Sequence, residues 1–221
     1  MTCIKEKKEE KKGGKWLFEE SDLIFRFNKD WIIKKYDAHQ YYKTISGLGM
    51  KGVDFIGIYQ YSTVVFIEVK NYRIRYSNKG FQRLYDVFDH PGALAEKIQQ
   101  KFSDSAKGVI VVHNFLNKRW WLKPIFPLLK RIPYSKWTKS DNLFWIRSRE
   151  LIRLGKVKNL LLIETEDAYP DYSAKNIHIF KTKLQKQINP NLLISAQDHP
   201  FKKALSIEIL NPSNRNQTVT D

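Results

Sequence analysis

Cysteine is almost missing from this chain: of 221 residues, only Cys3 is one. A single thiol excludes an intrachain disulfide and any zinc site built from several cysteines. Long apolar runs are missing as well. No stretch approaches the roughly 20 residues that span a bilayer, and Met1-Thr2-Cys3-Ile4 leads into Lys and Glu rather than into the apolar segment of a signal peptide. These absences create the expectation of a cytoplasmic protein with no membrane partner. Motifs of metal-free hydrolysis are also lacking: there is no Gly-x-Ser-x-Gly, no Cys–His pairing near a turn, and His39, His90, His113, His178 and His199 are scattered. Gly47, Gly49 and Gly52 precede an apolar strand instead of following one into a helix. Phosphate-loop and dinucleotide readings therefore fail on context, and a turn is expected there.

Acidic residues are the minority, 23 against 39 Lys and Arg, for a net charge of +16. The excess is concentrated. Residues 118–158 hold twelve basic side chains, among them Lys118, Arg119, Arg147, Arg149 and Arg153, against only Asp141 and Glu150. Four of the six tryptophans, Trp120, Trp121, Trp137 and Trp145, lie in the same segment. Basic groups neutralise phosphates and aromatic rings stack on unpaired bases. Nucleic acid is the partner this favours, with the charge weighing more than the tryptophans, several of which suit a core.

The few acids that interrupt apolar sequence are more telling. Gly52–Ile58 and Val64–Lys70 are two runs rich in Val, Ile and Phe, separated by Tyr59–Thr63. That pattern reads as a β-hairpin. A turn centred on Tyr61 sets Tyr59 against Thr63, Ile58 against Val64 and Asp54 against Glu68. Period-2 alternation puts Lys70 on the face of Glu68, and Phe55, Ile67 and Val69 on the other. Two acids and a lysine at one end of a strand pair that is apolar on both faces are costly unless paired or metal-bound.

Asp54 followed by Glu68-Val69-Lys70 resembles the PD-(D/E)XK nuclease superfamily, the restriction-endonuclease-like fold, over about residues 50–72. Val53 stands where that motif usually has Pro, at a position that supplies no ligand. The resemblance implies an αβββαβ core: a central mixed sheet flanked by helices, here with a basic helical insertion and C-terminal strand–helix–strand additions. It implies Mg²⁺ or Mn²⁺ held by Asp54, Glu68 and the Val69 carbonyl, with Lys70 beside the attacking water. An acid on the first helix often joins such a shell, and Glu20, beside Glu19, is the candidate. The implied activity is phosphodiester hydrolysis in DNA, by a protein that in this superfamily is often a homodimer.

The rest of the chain is read around that core. Residues 1–15 form a mixed-charge tail, 16–210 a single domain and 211–221 a loose tail. Trp16, Leu17, Glu20, Leu23, Ile24 and Phe27 recur at helical spacing, giving a first helix over 16–28. A strand follows within 31–46, where His39, Tyr41, Lys43 and Ile45 alternate. Asp37 and His39 lie near enough to the hairpin for an acid/base pair, but a lone histidine among aromatics reads as structural. Arg73 and Arg75 lie in a basic exit loop after Lys70. His90-Pro91-Gly92 starts a helix carrying Leu94, Ile98 and Phe102 as a stripe, with Lys101 on the inward side, either snorkelling or reaching the site. Gly108 ends that helix and Val109–Val112 forms a strand parallel to the second hairpin strand. Further elements are a helix around 117–130, a strand at 159–163, a helix over 173–188 and a strand at 192–194. Two rival readings accompany the nuclease: the same fold binding DNA or RNA without cutting, and a nucleic-acid-binding module in which Asp54, Glu68 and Lys70 form a structural ion cluster.

Overall fold

Period 2, not 3.6, governs the start of the chain. The computed structural model describes residues 10–12, 15–71, 91–118, 141–164, 182, 192–194 and 201–209. Within it Glu10–Lys12 (β1), Lys15–Glu20 (β2) and Leu23–Phe27 (β3) are successive antiparallel strands, and Leu205–Ile209 (β9) pairs with β3. The helix expected over 16–28 is thus a hairpin, and the strand over 10–12 lies inside the expected tail. Its apolar residues fit either period. Leu23, Phe25 and Phe27 are buried at alternate positions. The turn is Ser21-Asp22, both with positive φ (52° and 59°), the geometry that joins two strands through two residues.

The second sheet has the order β4-β5-β6-β7-β8: Trp31–Lys35 (β4), Phe55–Tyr59 (β5), Thr63–Asn71 (β6), Val157–Glu164 (β7) and Leu192–Ile194 (β8). β4, β5 and β6 are antiparallel neighbours, whereas β6, β7 and β8 run parallel. The hairpin register is the expected one, Tyr59 opposite Thr63 through Phe55 opposite Ile67. The strands expected at 159–163 and 192–194 are β7 and β8.

Three helices are present among the described residues: Gln40–Ser46 (α1), Pro91–Lys118 (α2) and Asp141–Arg153 (α3). Residues 40–46 are therefore helical, not extended, with His39 capping the helix by accepting the Tyr41 N–H. α2 starts at Pro91 as expected but runs through Gly108, so Val109–Val112 is helix and not strand. The parallel partner of β6 is β7, reached only after α2 and α3. The valines there are spent at helical spacing, with Val109, Val112 and Leu116 buried. Gly108 is a close-packing position rather than a stop: a Cβ there would lie 2.1 Å from the Tyr36 hydroxyl oxygen.

The two faces of the second sheet have different covers. Ile32, Ile56, Ile58, Val64, Phe66, Leu161 and Ile163 share a core with the helices, including Ile98, Phe102, Phe144 and the fully buried Trp145. Ile33, Phe55, Val65, Ile67, Val69, Leu160 and Leu162 pack instead on Phe18, Leu23, Phe25 and Phe27 of the first sheet. Helices were expected on both faces; among the described residues one face carries a sheet. Phe55 stands at its centre, with the Phe18, Phe25 and Phe27 rings 5.3–5.9 Å away. Each such ring buries enough apolar surface to contribute about 1.5–3 kcal/mol. The chain is thus mixed α/β, with two sheets among the described residues. The expected helices around 117–130 and over 173–188 fall outside the described residues, apart from the end of α2 and a single helical residue at 182. The tail from 211 lies outside them as well.

Candidate functional site

Asp54 stands just before β5 on a strap tied at three successive N–H groups. Lys51 donates to Asp104 Oδ2 (3.2 Å), Gly52 to the Tyr42 hydroxyl (2.9 Å) and Val53 to Ser105 Oγ (3.0 Å). Asp104 and Ser105 belong to α2 and Tyr42 to α1, so the two helices fix the approach to the acid. Glycine is required at 52 because a Cβ would sit 2.6 Å from the Tyr42 ring. Asp54 itself accepts the Val69 N–H at Oδ2 (2.6 Å), and its carbonyl accepts the Tyr36 N–H (2.8 Å).

Glu68, Lys70 and Lys101 meet at one oxygen. Glu68 is fully buried, and its Oε1 accepts Lys70 Nζ at 2.5 Å and Lys101 Nζ at 2.7 Å. Its Oε2 is buried without a hydrogen-bond partner. Lys70 comes from the same strand and Lys101 from α2, so helix and sheet are joined here by charge. An ionised carboxylate out of water needs such partners. Both lysine side chains are about a quarter exposed, and one side of the cluster therefore reaches solvent.

A second acidic group lies alongside. Single carboxylate oxygens of Glu20, Asp37 and Asp54 all lie within 4.8 Å of one another. Glu20 arrives from the end of β2, not from a helix, and that strand end is tied to the site by Asn71 Nδ2 donating to the Ser21 carbonyl (2.7 Å). Lys35 Nζ pairs with Glu20 Oε2 (2.7 Å) and donates to the Glu19 carbonyl (3.0 Å). Asp37 keeps one buried oxygen without a partner. Neither Lys35 nor Asp37 stands out in the sequence as a site residue. Asp37 was weighable only with His39, and only the turn after β4 brings it to Asp54.

The electrostatics follow from burial. Desolvation, reinforced by the Glu68 charge, pushes the Asp54 carboxyl up to about 7, against the pull of Lys101 and the Val69 N–H. Burial also raises Asp37, partly offset by Lys35. For Lys101, burial works to lower the ammonium, but the charge and hydrogen bond of Glu68 leave it raised. Carboxylates crowded with unpartnered buried oxygens, and an acid held half-protonated near neutrality, are the donor chemistry that a hard divalent cation satisfies. Glu20, Asp37 and Asp54 fit such an ion, with the Glu68 charge acting on Asp54 from beside them.

His39 has no free nitrogen for acid/base chemistry. Nδ1 accepts the Tyr41 N–H (3.2 Å), so Nε2 carries the proton and faces Asp141 at 3.2–3.3 Å. Asp141 also pairs with Lys34 (3.1 Å) and accepts from Trp145 Nε1 (3.3 Å). Although burial works to raise it, His39 and Lys34 bring that carboxyl down to about 2. This is a structural latch between β4, α1 and α3.

The basic residues divide. Arg147 is occupied, donating to the Tyr61 carbonyl from Nε and Nη2 (3.3 and 2.9 Å) and to Glu150 (2.7 Å). It braces the hairpin turn, where Gln60 and Tyr61 both have positive φ. From Thr63 to Glu68 the strand advances about 17 Å at ~3.3 Å per residue, so Arg147 lies at the far end of the hairpin from the acids. Arg153 and Lys118 are exposed and Arg149 is half-buried. Arg73, Arg75 and Arg119 fall outside the described residues. Among the described residues, no helix is long and apolar enough to cross a membrane. No protein-family model, no curated protein and no solved structure matches this chain.

Proposed function

We propose that this chain is a Mg²⁺- or Mn²⁺-dependent endonuclease that hydrolyses phosphodiester bonds in DNA, built on a restriction-endonuclease-like core. The observation that carries the reading is the meeting of Asp54, Glu68 and Lys70 at one end of the β5–β6 hairpin, with Glu20 and Asp37 converging on Asp54. The order β4-β5-β6-β7, antiparallel and then parallel, with helices covering the face that carries the acids, supports the same core.

Asp54, Glu20 and Asp37 would hold the ion, with the free oxygen of Glu68 and the Val69 carbonyl as the further donors that the motif implies. A bound divalent ion lowers the pKa of a coordinated water and polarises the phosphate. Lys70 would hold the developing negative charge. The Val69 N–H fixes the Asp54 carboxylate, and the α2 strap keeps it from collapsing onto its neighbours. Basic side chains, including Lys118, Arg149 and Arg153, supply sequence-independent grip on the backbone.

The test is incubation of the protein with plasmid, linear and single-stranded DNA, and with RNA, in Mg²⁺, Mn²⁺ or EDTA. Cleavage of DNA that EDTA stops is expected. Intact substrates under every condition would defeat the catalytic reading.

One observation favours a second reading. Glu68 is entirely buried and already salt-bridged twice, as in a scaffold ion cluster of a protein that binds nucleic acid without cutting it. Breaking such a cluster costs about 3–5 kcal/mol, and metal would then leave stability unchanged.

A further inference from the structure

Two ammonium groups converge on one oxygen of Glu68 while the other oxygen has no partner. Lys70 sits two residues away on the same strand and serves the motif chemistry. Lys101 has another origin: it is carried by α2, its side chain is only about a quarter exposed, and its Nζ lies 2.7 Å from Glu68 Oε1. An ammonium is drawn into a half-buried position only where a negative charge compensates its desolvation. The acids that face it most closely are Glu68 and Asp54, and its charge also acts on Asp37. Asp54 also belongs to the carboxylate cluster that would receive a divalent cation, and Glu68 acts on it from beside that cluster.

We infer that Lys101 is an internal counter-ion that competes with the divalent cation for the buried end of the hairpin. It balances Glu68 while no ion is bound and weakens the ion's hold by like-charge repulsion. The inference rests on the metal-dependent reading above and deepens it. A fixed positive charge a few ångström from a cation site acts through protein and not through water, and so changes affinity by roughly tenfold or more. Lys70 remains on Oε1 when Lys101 is removed, so Glu68 keeps its orientation and the charge effect dominates. Lys107, six residues further along α2, provides the contrast. It is 65% exposed, pairs with Asp104 at 3.4 Å, and makes no contact with Glu68.

The experiment is calorimetric titration of the full chain with Mn²⁺, for the parent, Lys101→Gln, Lys101→Arg and Lys107→Gln. Lys101→Gln is expected to bind Mn²⁺ about tenfold tighter, with Lys101→Arg and Lys107→Gln within about twofold of the parent. Its ion-free melting point should fall and recover as Mn²⁺ is added. If Lys101→Gln fails to fold without ion, recovery of its fold in Mn²⁺ supports the inference, and failure to fold in Mn²⁺ as well overturns it. Equal or weaker Mn²⁺ binding by a folded Lys101→Gln, beside a parent that binds, overturns the inference and leaves the metal reading standing. A parent that binds no Mn²⁺ overturns both.

Discussion

Asp54 Oδ2 accepts the Val69 N–H at 2.6 Å, so the acid is fastened to the peptide that separates Glu68 from Lys70. The bond fixes where the Asp54 charge stands, yet it does not offset the burial of that charge, and the carboxyl is pushed up to about 7. A raised folded-state value means that Asp54's contribution to stability is complete below its unfolded value near 3.8 and is lost as pH rises through about 7. The ion-free protein should therefore lose stability from this group between pH 4 and 7. Asp54→Asn keeps an acceptor for Val69 and removes the charge. In EDTA it should melt above the parent at pH 8 and close to it at pH 4, while its response to Mn²⁺ disappears. Melting curves at the two pH values, with and without Mn²⁺, check the sign.

Asp54→Ala, Glu68→Ala and Lys70→Ala are each expected to abolish metal-dependent cleavage, and to do so differently. Loss of either acid weakens Mn²⁺ binding along with turnover. Loss of Lys70 leaves the acids in place, so Mn²⁺ still binds while turnover collapses. Cleavage assays run beside Mn²⁺ titrations separate the cases. Uniformly low melting points with no effect of Mn²⁺ on the parent would instead favour the scaffold cluster.

Glu20 and Asp37 provide a test of the enlarged acidic set. Because their carboxylate oxygens lie within 4.8 Å of an Asp54 oxygen, Glu20→Gln and Asp37→Asn should each weaken Mn²⁺ binding by about tenfold, the scale of one nearby charge. Glu19, whose carbonyl accepts Lys35, is not in that set, and Glu19→Gln should leave binding within about twofold.

Charge reversal on α3 should separate two kinds of arginine. Arg149→Glu with Arg153→Glu is expected to weaken DNA binding and to flatten its dependence on salt, because phosphate contacts release counterions. Arg147→Ala should chiefly lower stability, by about 1–3 kcal/mol, since it leaves the Tyr61 carbonyl without its charged donor. Binding isotherms from 50 to about 200 mM salt, beside denaturant melts, distinguish the two effects.

Gly108 and Tyr36 make a fourth kind of test, of packing. A methyl group at 108 meets the Tyr36 hydroxyl oxygen at 2.1 Å, so Gly108→Ala should destabilise by about 1–3 kcal/mol despite its better helix propensity. The Tyr36 hydroxyl is buried without a partner, and Tyr36→Phe should be close to neutral. The double variant should recover part of the loss, giving a favourable coupling in a double-mutant cycle.

The β5–β6 hairpin, with its register, its two apolar faces and the meeting of Asp54 with Glu68-Val69-Lys70, was legible from the sequence alone. Period-2 alternation and a short turn are local, and they decide which face each side chain takes. The strand at β7 and the start of α2 at Pro91 were legible from other local signals, a short apolar run and a proline at the first helical turn. Residues 16–28 were not, because Trp16, Leu17, Leu23, Ile24 and Phe27 satisfy either period. What decides between them is a Ser21-Asp22 turn with both residues at positive φ, and a second sheet that needs Phe18, Phe25 and Phe27 as its inner face. Val109–Val112 reads as strand by propensity, and Gly108 as a stop. Tertiary packing overrides both, since glycine there admits Tyr36 while Val109 and Val112 join the core under the sheet. Glu20, Lys35 and Asp37 come from two strand ends and a turn, and Lys101 from one helix turn. Spacing turned Lys101 inward and the resemblance singled out Glu20. Nothing local to the chain fixes how these residues converge with Lys35 and Asp37 on Asp54 and Glu68, because long-range proximity is set by how the two sheets and α2 stack. The sequence thus determined the hairpin that carries the chemistry, and the stacking of sheets and helix decided which other charges surround it.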